Sequence, residues 1–151
     1  MRSVEDGHHR LVVDRRRHCV VVVASLAALA IAGIALAGRD DGAPVFSGLD
    51  SAVTCIPGPI AGQQTVYHLS WMPARDGVTP PRQIVYDVYQ TTTSGGEDFS
   101  SATYVTRRGV TSFDTPPLPA DTTFFFVVRA RDRADNEDAN KIERQGVNLC
   151  V

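Results

Sequence analysis

Between residues 118 and 130 the chain alternates two sets of side chains. Leu118, Ala120, Thr122, Phe124, Phe126, Val128 and Ala130 fall on one parity, and Thr123, Phe125, Val127 and Arg129 on the other. A period of two sustained over that length is the pattern of an extended strand with one face buried, because successive side chains leave a pleated backbone on opposite sides. Such a strand needs neighbours of the same kind, and the chain supplies them. Over 65–71, Tyr67, Leu69 and Trp71 alternate with Val66, His68 and Ser70; over 84–89, Ile84, Tyr86 and Val88 alternate with Val85, Asp87 and Tyr89. No segment after residue 38 has sustained helical periodicity, so the pattern predicts an all-β fold with facing antiparallel sheets.

Turn residues divide the rest into short strands. Residues 45–52 read as a first strand, ended by Pro57-Gly58-Pro59, and Pro73, Gly77, Pro80 and Pro81 make a stiff loop after the second. Residues 91–101 are too rich in Gly and Ser for a regular element and read as a surface loop pinned by Phe99. Short strands are expected over 103–106 and 110–114, where Phe113 should point inward, and a last one over 142–149. With 151 residues, 43% of them hydrophobic, one domain of ordinary size is expected at 44–151, after a linker at 39–43. A formal net charge of −2 gives no general attraction for nucleic acid.

The first 38 residues have a different composition. Residues 1–18 carry five arginines (Arg2, Arg10, Arg15, Arg16, Arg17) against Glu5, Asp6 and Asp14. Residues 19–38 are uncharged and rich in Val, Ala, Leu and Ile. A basic segment before an apolar run reads as an export signal, and Ala35-Leu36-Ala37 has the small-residue spacing for cleavage after Ala37. The run is also long enough, at about 30 Å as a helix, to stay as a membrane anchor. Either outcome places the rest outside the cytoplasm, secreted, periplasmic or at the cell surface. Arg15-Arg16 is a weak twin-arginine match, and Cys19 precedes the apolar run instead of following it as a lipoprotein cysteine would.

Four places, Leu69-x-Trp71, Tyr86-x-Val88, the alternation at 118–130 and the turn from Asp132 through Glu137, together resemble a fibronectin type III domain of the bacterial extracytoplasmic kind. The resemblance covers about residues 44–150 and implies a seven-stranded immunoglobulin-like β-sandwich with Trp71, Tyr86, Phe124 and Phe126 in its core. It also implies that the first and last strands end at the same pole. With Cys19 in the export segment, Cys55 and Cys150 are left as the pair that would form a disulfide there. Phe124 stands where the family usually has a corner tyrosine, so the corner must rest on packing. There is no Arg-Gly-Asp triplet to suggest integrin binding.

Two constellations are candidates for function. Asp132, Asp135 and Asp138, with Asn136, Glu137 and Asn140, form an acidic turn, and Asp76 should lie at the same pole. Calcium takes six to eight oxygens from such loops, but the spacing is not that of an EF-hand, and a hairpin whose Asp and Asn cap its own turn is the better reading. The second candidate is apolar: by parity Val85, Tyr89, Phe125 and Val127 point away from the core and would form one exposed contact patch. The competing reading is that Phe99 folds over that face or that the stems of Arg129 and Lys141 cover it. His8, His9 and His18 precede the domain, His68 should face solvent, and Ser94-Gly95-Gly96 lacks the lysine of a phosphate loop. No catalytic residues and no cofactor are expected. The chain reads as a non-enzymatic extracytoplasmic module for protein or glycan contact, with membrane contact through residues 19–38 if they are retained and no nucleic-acid partner. The alternative is a calcium- or carbohydrate-binding accessory module of a secreted hydrolase system, and a small exported enzyme would need a nucleophile and base that the motifs do not supply.

Overall fold

The computed structural model describes residues 40–56 and 62–150. The basic segment, the apolar export or anchor run and the Pro57-Gly58-Pro59 breaker lie outside the described residues. The strands are β1 (Leu49–Thr54), β2 (Gln64–Thr65), β3 (His68–Trp71), β4 (Val85–Thr91), β5 (Tyr104–Val105), β6 (Ser112–Asp114), β7 (Leu118–Pro119), β8 (Phe125–Arg131), β9 (Glu143–Gln145) and β10 (Val147–Asn148). They form two four-stranded sheets, β10-β1-β3-β6 and β5-β4-β8-β9, and a small separate pair, β2-β7. The all-β expectation holds, and the helical content among the described residues is one 3-10 turn at Pro81–Gln83.

The sheets share one core. Leu49, Leu69 and Trp71 from one sheet meet Tyr86, Val88, Phe126, Val128 and Ala130 from the other, all buried, with Phe124 at the rim. Trp71 packs on Tyr86 with ring centroids 5.1 Å apart, and Tyr67 packs on Phe126 at 5.4 Å. The Tyr86 hydroxyl, deep in this core, accepts a hydrogen bond from Ala74 N at 2.8 Å, so the phenol brings no unpaired polar atom inside. Phe124 is covered by Tyr67 and Phe126, with ring centroids 6.1 and 6.4 Å away.

Two departures from the sequence pattern have local causes. The single strand expected over 118–130 is broken: β7 pairs with β2, residues 120–124 turn, and β8 then runs along β4 with Tyr86 opposite Ala130. The alternation continues through the break because Leu118 and Phe124 still face the core. In β1 a register shift between Leu49 and Ser51 lets Leu49 and Ala52 both reach the core although they are three residues apart.

The end of the chain crosses from one sheet to the other. β9 pairs antiparallel with β8, and β10 pairs parallel with β1, Val53 opposite Val147. Gly146 makes the crossing over the face of Tyr67, where a Cβ would lie 2.4 Å from a ring carbon, so no larger residue fits. Beyond it, Cys150 meets Cys55 in a disulfide with Cα atoms 4.8 Å apart. Asn148 lies alongside and bonds Ile56 through both its N–H and its carbonyl, at 3.2 and 2.9 Å.

Candidate functional site

The face of β4 and β8 that points away from the core is closed by polar and aromatic contacts. Parity places Val85, Tyr89, Phe125 and Val127 on it, as expected, but they do not form an exposed patch. Tyr89 is 4% exposed and Val127 1%, while Val85 and Phe125 are half-buried. The cover is the loop after β4. Gly95, at φ +70°, turns that loop back toward β9, where Ser94 Oγ and Gly95 N donate to the Glu143 carboxylate at 2.7 and 2.6 Å. Phe99 then packs edge-on to Tyr89 at 5.0 Å, and the Arg129 guanidinium lies over both rings, 3.6 Å from the centroid of Phe99 and 5.6 Å from that of Tyr89.

Arg129 is itself 8% exposed, and its charge is met on every side. Its Nε donates to Asn140 O at 3.0 Å and its NH1 to Glu137 at 3.3 Å, and Glu137 also accepts from the Tyr89 hydroxyl at 2.6 Å. Burial, and next the bond to Glu137, push the Tyr89 phenol well above its ordinary range. Beside this, Arg131 donates to both oxygens of buried Asp87, at 2.6 and 3.2 Å, and to Asp135 at 2.8 Å, and the bond to Asp87 is the main reason its pKa is raised further. Lys141 stands farther along, beside Glu97 and Glu143. The loop cover thus competes with any partner for this face, and Tyr89 and Val127 are buried rather than presented.

Glu97, in the same loop, and Glu143 of β9 are neighbours. Burial first, then the hydrogen bond and charge of Glu143, hold the Glu97 carboxyl above its usual range. The Gly95 N–H and the Ser94 hydroxyl hold Glu143 below its own. The Ser94 and Gly95 bonds to Glu143 anchor the Gly-rich loop.

At one pole, the four acidic residues named from the sequence separate into two roles. Asp76 and Asp132 come together with Asp40, each offering an oxygen within 4.8 Å of the others. Asp135 instead pairs with Arg131, on a backbone at φ +65°, and Asp138 turns inward to accept from Ala130 N at 2.5 Å and Asn140 N at 2.8 Å. The Asp132 carboxylate accepts from Ala134 N, Asn136 N and Asn136 Nδ2 at 2.7, 2.9 and 2.8 Å. Asp76 accepts from Val78 N at 2.8 Å and from Thr79 N, and these N–H groups, Thr79 foremost, lower its pKa. These are carboxylates that cap turns. Asp40, which the sequence patterns did not single out, is drawn in by Asn136 Nδ2 donating to its carbonyl at 2.9 Å. Burial, followed by the charges of Asp76 and Asp132, raises its pKa.

The remaining polar pair is His68 and Asp114, 2.6 Å apart across β3 and β6, on open surface with side chains 54% and 68% exposed. A His–Asp pair is two parts of a hydrolytic triad, but its surroundings are Val53, Val66, Leu149, Cys55 and Thr54, whose hydroxyl is bonded to Thr65 inside. No nucleophile is aligned with it among the described residues. Compared with protein-family models, with curated proteins and with solved structures, the chain matches none.

Proposed function

We propose that residues 44–151 are a fibronectin type III-like module that works outside the cytoplasm as a non-catalytic contact domain, delivered there by the basic and apolar segments that precede it. The observation that carries the reading is the Cys55–Cys150 disulfide, which ties the end of β1 to the end of the chain. Such a bond persists in oxidising compartments and is rare in the cytosol. The order of the paired strands and the Trp71–Tyr86 core support the family likeness. A contact role is supported by the way the polar side chains are spent. Asp87, Asp132, Asp138, Arg129 and Arg131 are all engaged in internal bonds that stiffen the two poles and one face. A scaffold held in this way presents its loops and sheet edges in fixed positions to a partner.

The test is expression of the full gene with a C-terminal tag in a Gram-negative host, followed by fractionation and intact mass with and without reductant and alkylation. A species in the envelope or medium, with one reducible bridge, is expected. It would begin after Ala37 if released and keep residues 1–37 if anchored. A cytoplasmic species with free Cys55 and Cys150 would sink the proposal.

A further inference from the structure

Along one side of the sandwich no strand among the described residues bridges the two sheets. β5 ends one sheet and β6 ends the other, and between them runs an open groove of about 650 Å³. Its lining includes Val105, Val110 and Phe113, with Arg107 at one end and Asp114 at the other. The floor is apolar, because Tyr104 and Phe113, both half-buried, meet there with ring centroids 5.4 Å apart, and Val105 on the lip is 56% exposed.

β6 offers this groove an unused hydrogen-bonding edge. Trp71 N donates to Thr111 O at 3.1 Å and Thr115 N to Tyr67 O at 3.0 Å, so residues 111, 113 and 115 turn their backbone groups toward β3. The alternation of an antiparallel ladder then turns the N–H and C=O groups of Ser112 and Asp114 outward. The end of the groove by Arg107 is basic. Gly109, at φ +73°, seats the Arg107-Arg108 turn against Arg82, where a Cβ would lie 2.8 Å from the Arg82 Cα and carbonyl oxygen. Arg82, Arg107 and Arg108 are all exposed, and the ion pairs among the described residues involve only Arg129, Arg131 and His68 on the cationic side.

We propose that β6 is a docking edge for an extended acidic peptide of a partner protein. This rests on the contact-module reading and names its surface. The peptide adds as a strand beside Ser112 and Asp114, sets alternate apolar side chains over Val105, Val110 and Phe113, and places carboxylates against Arg107 and Arg108. Charge selects this occupant. Three exposed arginines, Arg82, Arg107 and Arg108, stand at this groove, and the acidic side chain in its lining, Asp114, is already bonded to His68, so the unmatched charge that a partner meets is positive. An anionic glycan would satisfy the arginines and leave both the apolar floor and the β6 ladder unused.

The experiment measures binding of the full chain, as purified, to a blocked ten-residue peptide of alternating glutamate and valine, to its lysine counterpart, and to heparin. The expected result is binding of the acidic peptide and not the lysine peptide. It should weaken roughly tenfold in Ser112→Pro, which removes an outward N–H without touching the β3 ladder, and in the double reversal Arg107→Glu/Arg108→Glu. The lysine peptide should bind the reversed variant. Melting curves establish that each variant is folded, and Val105→Glu, on the opposite lip, should weaken the acidic peptide without altering β6. Failure of the acidic peptide to bind, or binding indifferent to Ser112→Pro and Val105→Glu, overturns the docking edge. Heparin binding lost only on arginine reversal, with no peptide binding, would assign the arginines to a glycan and equally overturn it. None of these results bears on the export and contact reading, which stands or falls on the compartment and thiol state of the expressed chain.

Discussion

Replacing Phe99 by alanine tests whether the loop after β4 closes the outer face of β4 and β8 or merely lies near it. The loop's hold has two parts: the bonds of Ser94 and Gly95 to Glu143, and the Phe99 ring between Tyr89 and the Arg129 guanidinium. An aromatic pair contributes about 0.5–1.5 kcal/mol beyond the area it buries. A partly desolvated cation–π contact adds about 1 kcal/mol. Half-burial of a phenylalanine contributes about 1 kcal/mol more, taking half of the value for full burial. The sum predicts a loss of about 2.5–3.5 kcal/mol, which at about 4–8 °C per kcal/mol lowers the melting temperature by about 10–28 °C for a domain of this size. The loss should be shared with Arg129. In a Phe99→Ala, Arg129→Met double-mutant cycle, read by urea denaturation, the two changes should couple by about 1 kcal/mol, since methionine keeps the stem and removes the charge. The loop should also become the first site of proteolytic cleavage, and the dye ANS should bind where Tyr89 and Val127 are uncovered. A Phe99→Ala protein within about 0.5 kcal/mol of wild type, the size of an ordinary surface substitution, would refute the idea that this ring is the cover. Strict additivity with Arg129→Met would show that the stacked geometry contributes nothing of its own.

Three other perturbations separate the remaining contacts. Cys55→Ser/Cys150→Ser should lower stability by about 4–5 kcal/mol in denaturant titrations, as expected for a long loop left open, and a change under 1 kcal/mol would mean that the β1–β10 pairing alone holds the end of the chain. Glu97 has a raised pKa in the fold, so its neutral form is stabilised and stability falls as pH rises from its unfolded pKa through the folded one. Glu97→Gln should therefore melt higher than wild type at pH 7 and level with it below about pH 4; equal melting temperatures at both would remove the carboxyl pair from the account. Asp132→Ala strands Ala134 N and Asn136 N and should cost about 3 kcal/mol. If capping is its role, the wild-type melting temperature should be the same in millimolar calcium and in EDTA, and a calcium-dependent rise abolished by Asp132→Ala would make the cluster with Asp40 and Asp76 a metal site.

What the chain's own order of residues determined is the local part of this structure. Parity along a strand is set by the pleat, so it puts Tyr67, Leu69, Trp71, Tyr86, Phe126 and Val128 on the core side, and each is buried. The cysteine pair was legible through the family resemblance, which implies that the first and last strands end at one pole, and Cys55 and Cys150 do meet there. Parity says which side of a sheet a residue leaves from and nothing about what lies above it. Tyr89 and Val127 do point outward, and they are buried because a loop with no periodicity of its own is folded over them by Gly95, Glu143 and Arg129. Asp40 joins Asp76 and Asp132 from a linker that carries no pattern, and the edge groove exists because β5 and β6, consecutive in the chain, pair with different sheets, β5 with β4 and β6 with β3. In each case the decisive contact joins residues far apart in the chain, and its free energy comes from burial and pairing across that distance, which is a property of the assembled sandwich.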